Sequence, residues 1–111
     1  MPFLLFFIKQ TALEAFILKV KVKYFAIFRE ITNKREEELE VKKGATVKDL
    51  LEALAERYGK KFRDLVFNGE AVSDRLLMLV DGVNIYSLNS LETKLSENST
   101  FVILPPVGGG G

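Results

Sequence analysis

The chain has 111 residues, 16 Lys and Arg against 15 Asp and Glu, 48% apolar residues, and no Cys, His or Trp. That length and apolar content suit one domain with a modest core, and they argue against a two-domain enzyme. Without Cys or His there is no disulfide framework, thiolate nucleophile, thiolate zinc site or imidazole base, and a net charge of +1 gives no general pull towards nucleic acid or an anionic membrane.

The first 17 residues, MPFLLFFIKQTALEAFI, hold four of the nine phenylalanines: Phe3, Phe6, Phe7 and Phe16. No basic stretch precedes the apolar run, the run from Phe3 to Ile8 is six residues long, and no small-x-small cleavage pattern follows, so a secretory signal is not expected. Lys9, Gln10 and Glu14 break it well short of the roughly 20 apolar residues of a membrane span. Three readings stay open for residues 1–17: an extension that packs on the domain or on a second subunit, translation from an upstream start codon, or non-native leader sequence. The weight falls on the last two, because nothing in the rest of the chain needs this segment.

From Leu18 to Phe25 apolar and charged residues alternate, the period-two mark of a half-buried strand with its lysines towards water, expected to run on to about Phe28. Thr32-Asn33-Lys34 reads as a polar turn and Glu37 to Lys43 alternates again, so a β-hairpin is expected. Thr46 as N-cap with Asp49 at N3 opens a helix whose apolar stripe is Val47, Leu50, Leu51, Leu54, Ala55 and Tyr58, and Gly59 suits its end. Lys60 to Arg75 reads as a short turn of helix or a loop with apolar anchors. The continuous run from Leu76 to Val80 suits a central strand, Asp81-Gly82 a tight turn, and Val83 to Tyr86 a short return strand. Leu91 to Glu97 reads as a polar connector with Leu91 and Leu95 turned inward. Thr100 to Leu104 forms the last strand, stopped by Pro105-Pro106.

The order predicts an α+β domain: a mixed sheet of four to five strands with one face packed on one main helix, and with the first and last strands as parallel central neighbours. The boundaries expected are residues 1–17 as the extension, 18–104 as the domain and 105–111 as a flexible glycine tail.

Most polar clusters have ordinary explanations. Glu36-Glu37-Glu38 could tempt a metal, but a solvated strand edge that discourages edge pairing is the better reading. Lys42-Lys43 and Lys60-Lys61 are isolated pairs without an aromatic platform, and Asp74 and Asp81 read as turn residues. No metal site is expected. The tail differs: half of the eight glycines are Gly108 to Gly111, after Pro105-Pro106-Val107. A stiff exit followed by a segment without side chains is either a disordered terminus or a backbone thin enough to thread a narrow channel.

Tyr24-Phe25-Ala26-Ile27-Phe28-Arg29-Glu30, Thr46-Val47-Lys48-Asp49-Leu50 and the Pro105-Pro106-Val107-glycine ending resemble the small subunit of molybdopterin synthase and its relatives among the archaeal ubiquitin-like modifiers and sulfur carriers, all β-grasp proteins. The resemblance spans roughly 94 of the 111 residues, from Leu18 to Gly111. Sulfur carriers of thiamine biosynthesis share the terminal glycines but are generally shorter and lack Pro-Pro-Val, which ranks them lower. Four terminal glycines also make the chain one residue longer than the family ending, so either Gly110 or Gly111 is the mature terminus.

The resemblance implies that the C-terminal carboxylate is adenylated by a ubiquitin-activating-type enzyme with ATP, converted to a thiocarboxylate by a sulfur donor protein, and used in the large synthase subunit to sulfurate a pterin precursor. On that reading Gly111, with Gly110, carries the chemistry. Phe25, Arg29, Leu104, Pro105, Pro106, Val107, Gly108 and Gly109 meet partners. The chain binds no cofactor, metal, nucleic acid or membrane itself and works in the cytoplasm. The alternative is a protein modifier that forms isopeptide bonds with lysines through the same glycine. A passive β-grasp interaction module is the third.

Overall fold

A computed structural model describes residues 15–106 of the chain. Strand β1 spans Ile17–Tyr24, and its alternation is realised as read: Val20, Val22 and Tyr24 are buried while Lys19, Lys21 and Lys23 face away from the core. The strand does not reach Phe28. Ala26 takes φ 52° and ψ −125°, and the Phe28 N–H closes on the Phe25 carbonyl at 3.1 Å, a tight reverse turn. Helix α1, Ile27–Thr32, follows and buries Phe28 and Thr32. It ends at Asn33, which is left-handed at φ 58° and ψ 30° and donates its N–H to the Arg29 carbonyl. Strand β2, Glu36–Lys42, then pairs antiparallel with β1 from Lys23↔Glu36 to Ile17↔Lys42. The expected strand pairing therefore holds, with a helix in place of a plain turn.

Helix α2, Val47–Tyr58, starts on a complete capping box: the Asp49 N–H donates to Thr46 Oγ1 at 3.2 Å, and the Thr46 N–H donates to Asp49 Oδ2 at 2.9 Å. Its inward stripe is Val47, Leu50, Leu51, Leu54 and Ala55. Gly59, at φ 87°, breaks it and a further helix α3, Lys60–Val66, begins at once, burying Phe62 and Val66. The region read as a turn or loop is thus mostly helix, ending in a two-residue hairpin of β3, Phe67–Asn68, and β4, Ala71–Val72.

Strand β5, Leu77–Val80, turns through Asp81 and Gly82, both at positive φ, into β6, which is only Val83–Asn84. The return strand is shorter than expected because the Asn84 side chain accepts the Tyr86 N–H at 2.9 Å and winds the chain into two 3₁₀ turns, Ile85–Ser87 and Ser90–Glu92. This connector buries Ile85 and Leu95 and packs Leu91 against the core. Strand β7 is Thr100–Leu104.

The sheet order is β2-β1-β7-β5-β6, with β1 and β7 parallel and the other pairings antiparallel. The expected α+β architecture of a mixed sheet on a main helix is thereby met, with five strands. Val22, Met78, Phe101 and Ile103 from the sheet, Leu50, Leu51 and Leu54 from α2, and Phe62 from α3 form one cluster, each no more than 1% exposed. Burial of each such side chain is worth about 1.5–3 kcal/mol. Among the described residues all the helices lie on this face, and they leave the other face open.

Candidate functional site

Because β1 and β7 are parallel, both end at the same edge of the sheet. Tyr24 pairs with Ile103, so the Phe25 turn and Leu104, from which the tail departs, lie at one corner. Phe25 is 36% exposed, Leu104 and Pro105 are half-buried, and Pro106 is exposed. The Arg29 guanidinium lies 5.5 Å over the Phe25 ring, and its Nε is buried without a hydrogen-bond partner among the described residues. The five candidate contact residues up to Pro106 are therefore at or beside the tail root. Val107 and Gly108 to Gly111, including the terminus expected to be reactive, lie outside the described residues, as do residues 1–14 of the N-terminal stretch.

The sequence reading missed the neighbours of Leu104. Leu77 pairs with Leu104 and Leu79 with Val102, and all four occupy the open face, since the alternate residues Met78, Val80, Phe101 and Ile103 are buried. The signal was available. Leu76 to Val80 and Phe101 to Leu104 are continuous apolar runs without the polar alternation of β1, which requires apolar side chains on both faces of those strands. Among the described residues helices cover one face only.

The β1–β2 half of the same face is charged. Lys19, Lys21 and Lys23 stand opposite Glu40, Glu38 and Glu36, and Lys21 Nζ reaches Glu36 Oε2 at 3.4 Å. The open face is thus an apolar patch at the tail root beside a ladder of alternating charge.

Glu37 corrects the reading of Glu36-Glu37-Glu38 as a uniformly solvated edge. Its neighbours face water, but Glu37 pairs with buried Val22, points to the helix side and has a side chain only 8% exposed. Tyr24 donates its hydroxyl to Oε2 at 2.5 Å, Tyr58 donates to the same oxygen, and Lys34 Nζ donates to Oε1 at 3.2 Å. Arg57 adds a cation 3.7 Å from Oε1. Burial alone would push the Glu37 carboxyl up, but the hydrogen bonds from Tyr24, Tyr58 and Lys34, with the Lys34 charge, outweigh it and hold the group below its ordinary range. Burial, then the bond to the Glu37 carboxylate, pushes the Tyr24 hydroxyl far up.

The remaining clusters stay structural. Asp81 Oδ1 accepts the Thr100 N–H at 2.8 Å, a turn role, and Lys60 pairs with Asp64 one helical turn on at 2.6 Å. Among the described residues no three His, Cys, Asp or Glu side chains converge as metal ligands would, and no helix is long and apolar enough to cross a membrane. A concavity of ≈ 710 Å³ lies between α1 and α3, lined by Ile27, Ile31 and Leu65 among others, and none of the tail-root residues lines it.

Residues 22–110 match the ThiS family. Small archaeal modifier protein 3 of Haloferax volcanii is 29% identical over 93 residues, 84% of this chain and the whole of that protein. The solution structure of small archaeal modifier protein 1 from Methanosarcina acetivorans superposes with a TM-score of 0.73 at 33% identity, covering 85% of this chain and 98% of that one. A Pyrococcus furiosus structure described as molybdopterin converting factor, subunit 1, gives a TM-score of 0.66 at 35% identity over 81% of this chain and 99% of that one. These neighbours share the ubiquitin-like β-grasp fold.

Proposed function

The chain belongs to the ThiS family of ubiquitin-like sulfur carriers and modifiers, and from that premise we propose that it is the sulfur-carrying small subunit of a molybdopterin-synthase-type transferase. A carboxylate is a poor electrophile. Attack of the terminal carboxylate on ATP, in a ubiquitin-activating-type enzyme, gives an acyl adenylate and releases pyrophosphate. Sulfide released by a donor protein attacks the acyl carbon and displaces AMP, leaving a thiocarboxylate on Gly111 or Gly110. The thiocarboxylate is the nucleophile that the large subunit uses on the pterin precursor. ATP belongs to the activating enzyme, the chain holds no cofactor of its own, and the reaction is placed in the cytoplasm, where ATP is available.

The observation that carries this reading is the tail root. The chain leaves the sheet at Leu104-Pro105-Pro106, directly from the apolar patch of Leu77, Leu79, Val102 and Leu104 and beside Phe25 and Arg29. Proline at both exit positions stiffens the departure, so a partner that grips the patch also fixes the direction of the exit at Pro105-Pro106. A small, partly apolar contact of this kind suits a carrier that must leave one enzyme for the next. The catalytic groups are then the partners', which agrees with a chain lacking His and Cys.

The modifier reading rests on the names of the relatives from Haloferax volcanii and Methanosarcina acetivorans. Its chemistry parts from sulfur transfer only at the last step, when a lysine amine attacks the activated acyl group. Intact-mass measurement after incubation with ATP, sulfide and the cognate activating enzyme separates them. Sulfur transfer predicts the gain expected for one oxygen replaced by sulfur, lost when Gly110 and Gly111 are deleted. High-mass conjugates without that gain would instead support the modifier, and an inert tail would leave a passive interaction module.

A further inference from the structure

The Phe25–Arg29 corner is held at both ends, and both restraints start at one carboxylate. The first arm is direct: Glu37 Oε2 accepts the hydroxyl of Tyr24, the residue immediately before Phe25, and the Tyr24 N–H donates to the Arg35 carbonyl at 2.8 Å. The second arm runs through rings. Glu37 also accepts the hydroxyl of Tyr58 at the end of α2, Tyr58 packs on Phe62 of α3 at 6.1 Å between centroids, and Phe62 packs on Phe28 of α1 at 5.5 Å. Phe28 is the residue whose N–H closes the turn on Phe25. Tyr24 and Tyr58 also meet edge to face at 6.2 Å, which joins the arms near their origin.

We propose that Glu37 is a positioning residue for the partner-docking corner, clamping residues 24 and 28 on either side of the Phe25 turn and so fixing Phe25 and Arg29 relative to the tail root. This rests on the carrier reading for its consequence, though not for its geometry.

Three observations favour positioning over plain stability. A half-buried position on an edge strand, in phase with Leu39 and Val41, would ordinarily take an aliphatic side chain. Replacing a buried polar cluster by apolar groups of similar shape is often neutral or stabilising, so a carboxylate there is poorly explained by stability; what it adds is direction, because hydrogen bonds fix geometry where dispersion does not. The four charged or titratable groups that face it among the described residues come from three separate parts of the chain around the corner: Tyr24 from β1, Lys34 from the α1–β2 connection, and Tyr58 and Arg57 from α2. And the turn it brackets contains the strained Ala26, which persists only where flanking structure over-determines it.

The test compares the wild-type chain with the apolar triple variant Glu37→Leu, Tyr24→Phe, Tyr58→Phe, which keeps the packing and removes the arms. Amide hydrogen exchange is expected to accelerate at least about tenfold at Tyr24 and Phe28, with the Asp81 amide on the far side of the sheet unchanged. In pyrophosphate exchange with the activating enzyme, KM for the carrier should rise by about tenfold while kcat is retained, the pattern of lost docking. Unchanged exchange at Tyr24 and Phe28, or acceleration of all sheet amides together, overturns the proposal; so does normal KM in a variant whose corner has loosened. If the triple variant does not fold, Tyr58→Phe alone cuts the second arm and is read at Phe28 in the same way. A wild-type chain that no activating enzyme accepts would sink the carrier reading, and the exchange measurement would still decide whether Glu37 holds the corner.

Discussion

Replacing Ala26 by glycine should stabilise this protein, against the usual sign of such a change. Ala26 sits at φ 52° and ψ −125°, the first central position of a tight turn, where a Cβ is crowded and glycine is at ease. A non-glycine residue held in so sparsely populated a region costs about 1–3 kcal/mol. Against that, glycine widens the unfolded ensemble at a cost of about 0.4–1 kcal/mol. The Ala26 methyl is exposed, so almost no apolar burial is lost, and the Glu30 N–H to Ala26 carbonyl bond at 3.2 Å involves backbone only. The net expectation is a gain of about 1 kcal/mol, seen as a Tm higher by about 4–8 °C in a domain of this size. Ala53 provides the control: it is also exposed but lies inside α2, where Ala53→Gly should lose about 1 kcal/mol. Thermal and urea unfolding of both variants gives two opposite signs if the turn is strained. A destabilised Ala26→Gly would show that the turn carries no strain, and would remove that support for a clamped corner.

Thr46→Ala should cost about 1 kcal/mol in urea unfolding, because both hydrogen bonds of the α2 capping box use the threonine; a neutral result would mean that water caps the helix equally well. Phe101→Ala, in a central strand and fully buried, should cost about 3–5 kcal/mol and threaten folding altogether; a loss below about 2 kcal/mol would mean that the core collapses around the missing ring. The Glu37 cluster predicts a pH dependence. Its folded carboxyl is held below the unfolded value of 4.5, so its contribution is present above that pH and disappears as the pH falls through the lower, folded value. The stability difference between wild type and Glu37→Gln should therefore narrow below pH 4.5. A difference that widened on acidification would contradict the depressed value.

How much of this was legible in the sequence depended on whether the deciding interaction was local. Helix α2 could be read whole because its cap, stripe and terminator lie between Thr46 and Gly59. Strand β1 declared its own faces through three lysines. Helix α1 could not be read: Phe25 to Phe28 favours extended chain on propensity, six residues cannot sustain a helix alone, and the packing of Phe28 on Phe62 decides the matter from 34 residues away. Glu37 was readable and misread. In phase with Leu39 and Val41, it had to face opposite to Glu36 and Glu38, yet three consecutive glutamates invite treatment as one class. Leu104 and the proline exit could be named, whereas Leu77 and Leu79 needed the β5–β7 register to join them.

On the proposed carrier reading the two halves of the open face act as one docking surface. Four aliphatic side chains are enough to hold a partner briefly, and dispersion between flat apolar surfaces does little to define orientation. The ladder of Lys19, Lys21 and Lys23 against Glu40, Glu38 and Glu36 lies to one side of that patch only. A partner with complementary charges on one side can approach in a single sense, and charge at an interface contributes more to orientation and encounter rate than to lifetime. The same glutamates line the exposed edge strand β2, where they oppose pairing with another sheet edge. On the proposed carrier reading direction matters more than affinity, since a few residues of backbone would enter another protein's site and then withdraw. On that reading the paired β1 and β7 ends, a charge ladder on one flank and a proline exit supply the direction.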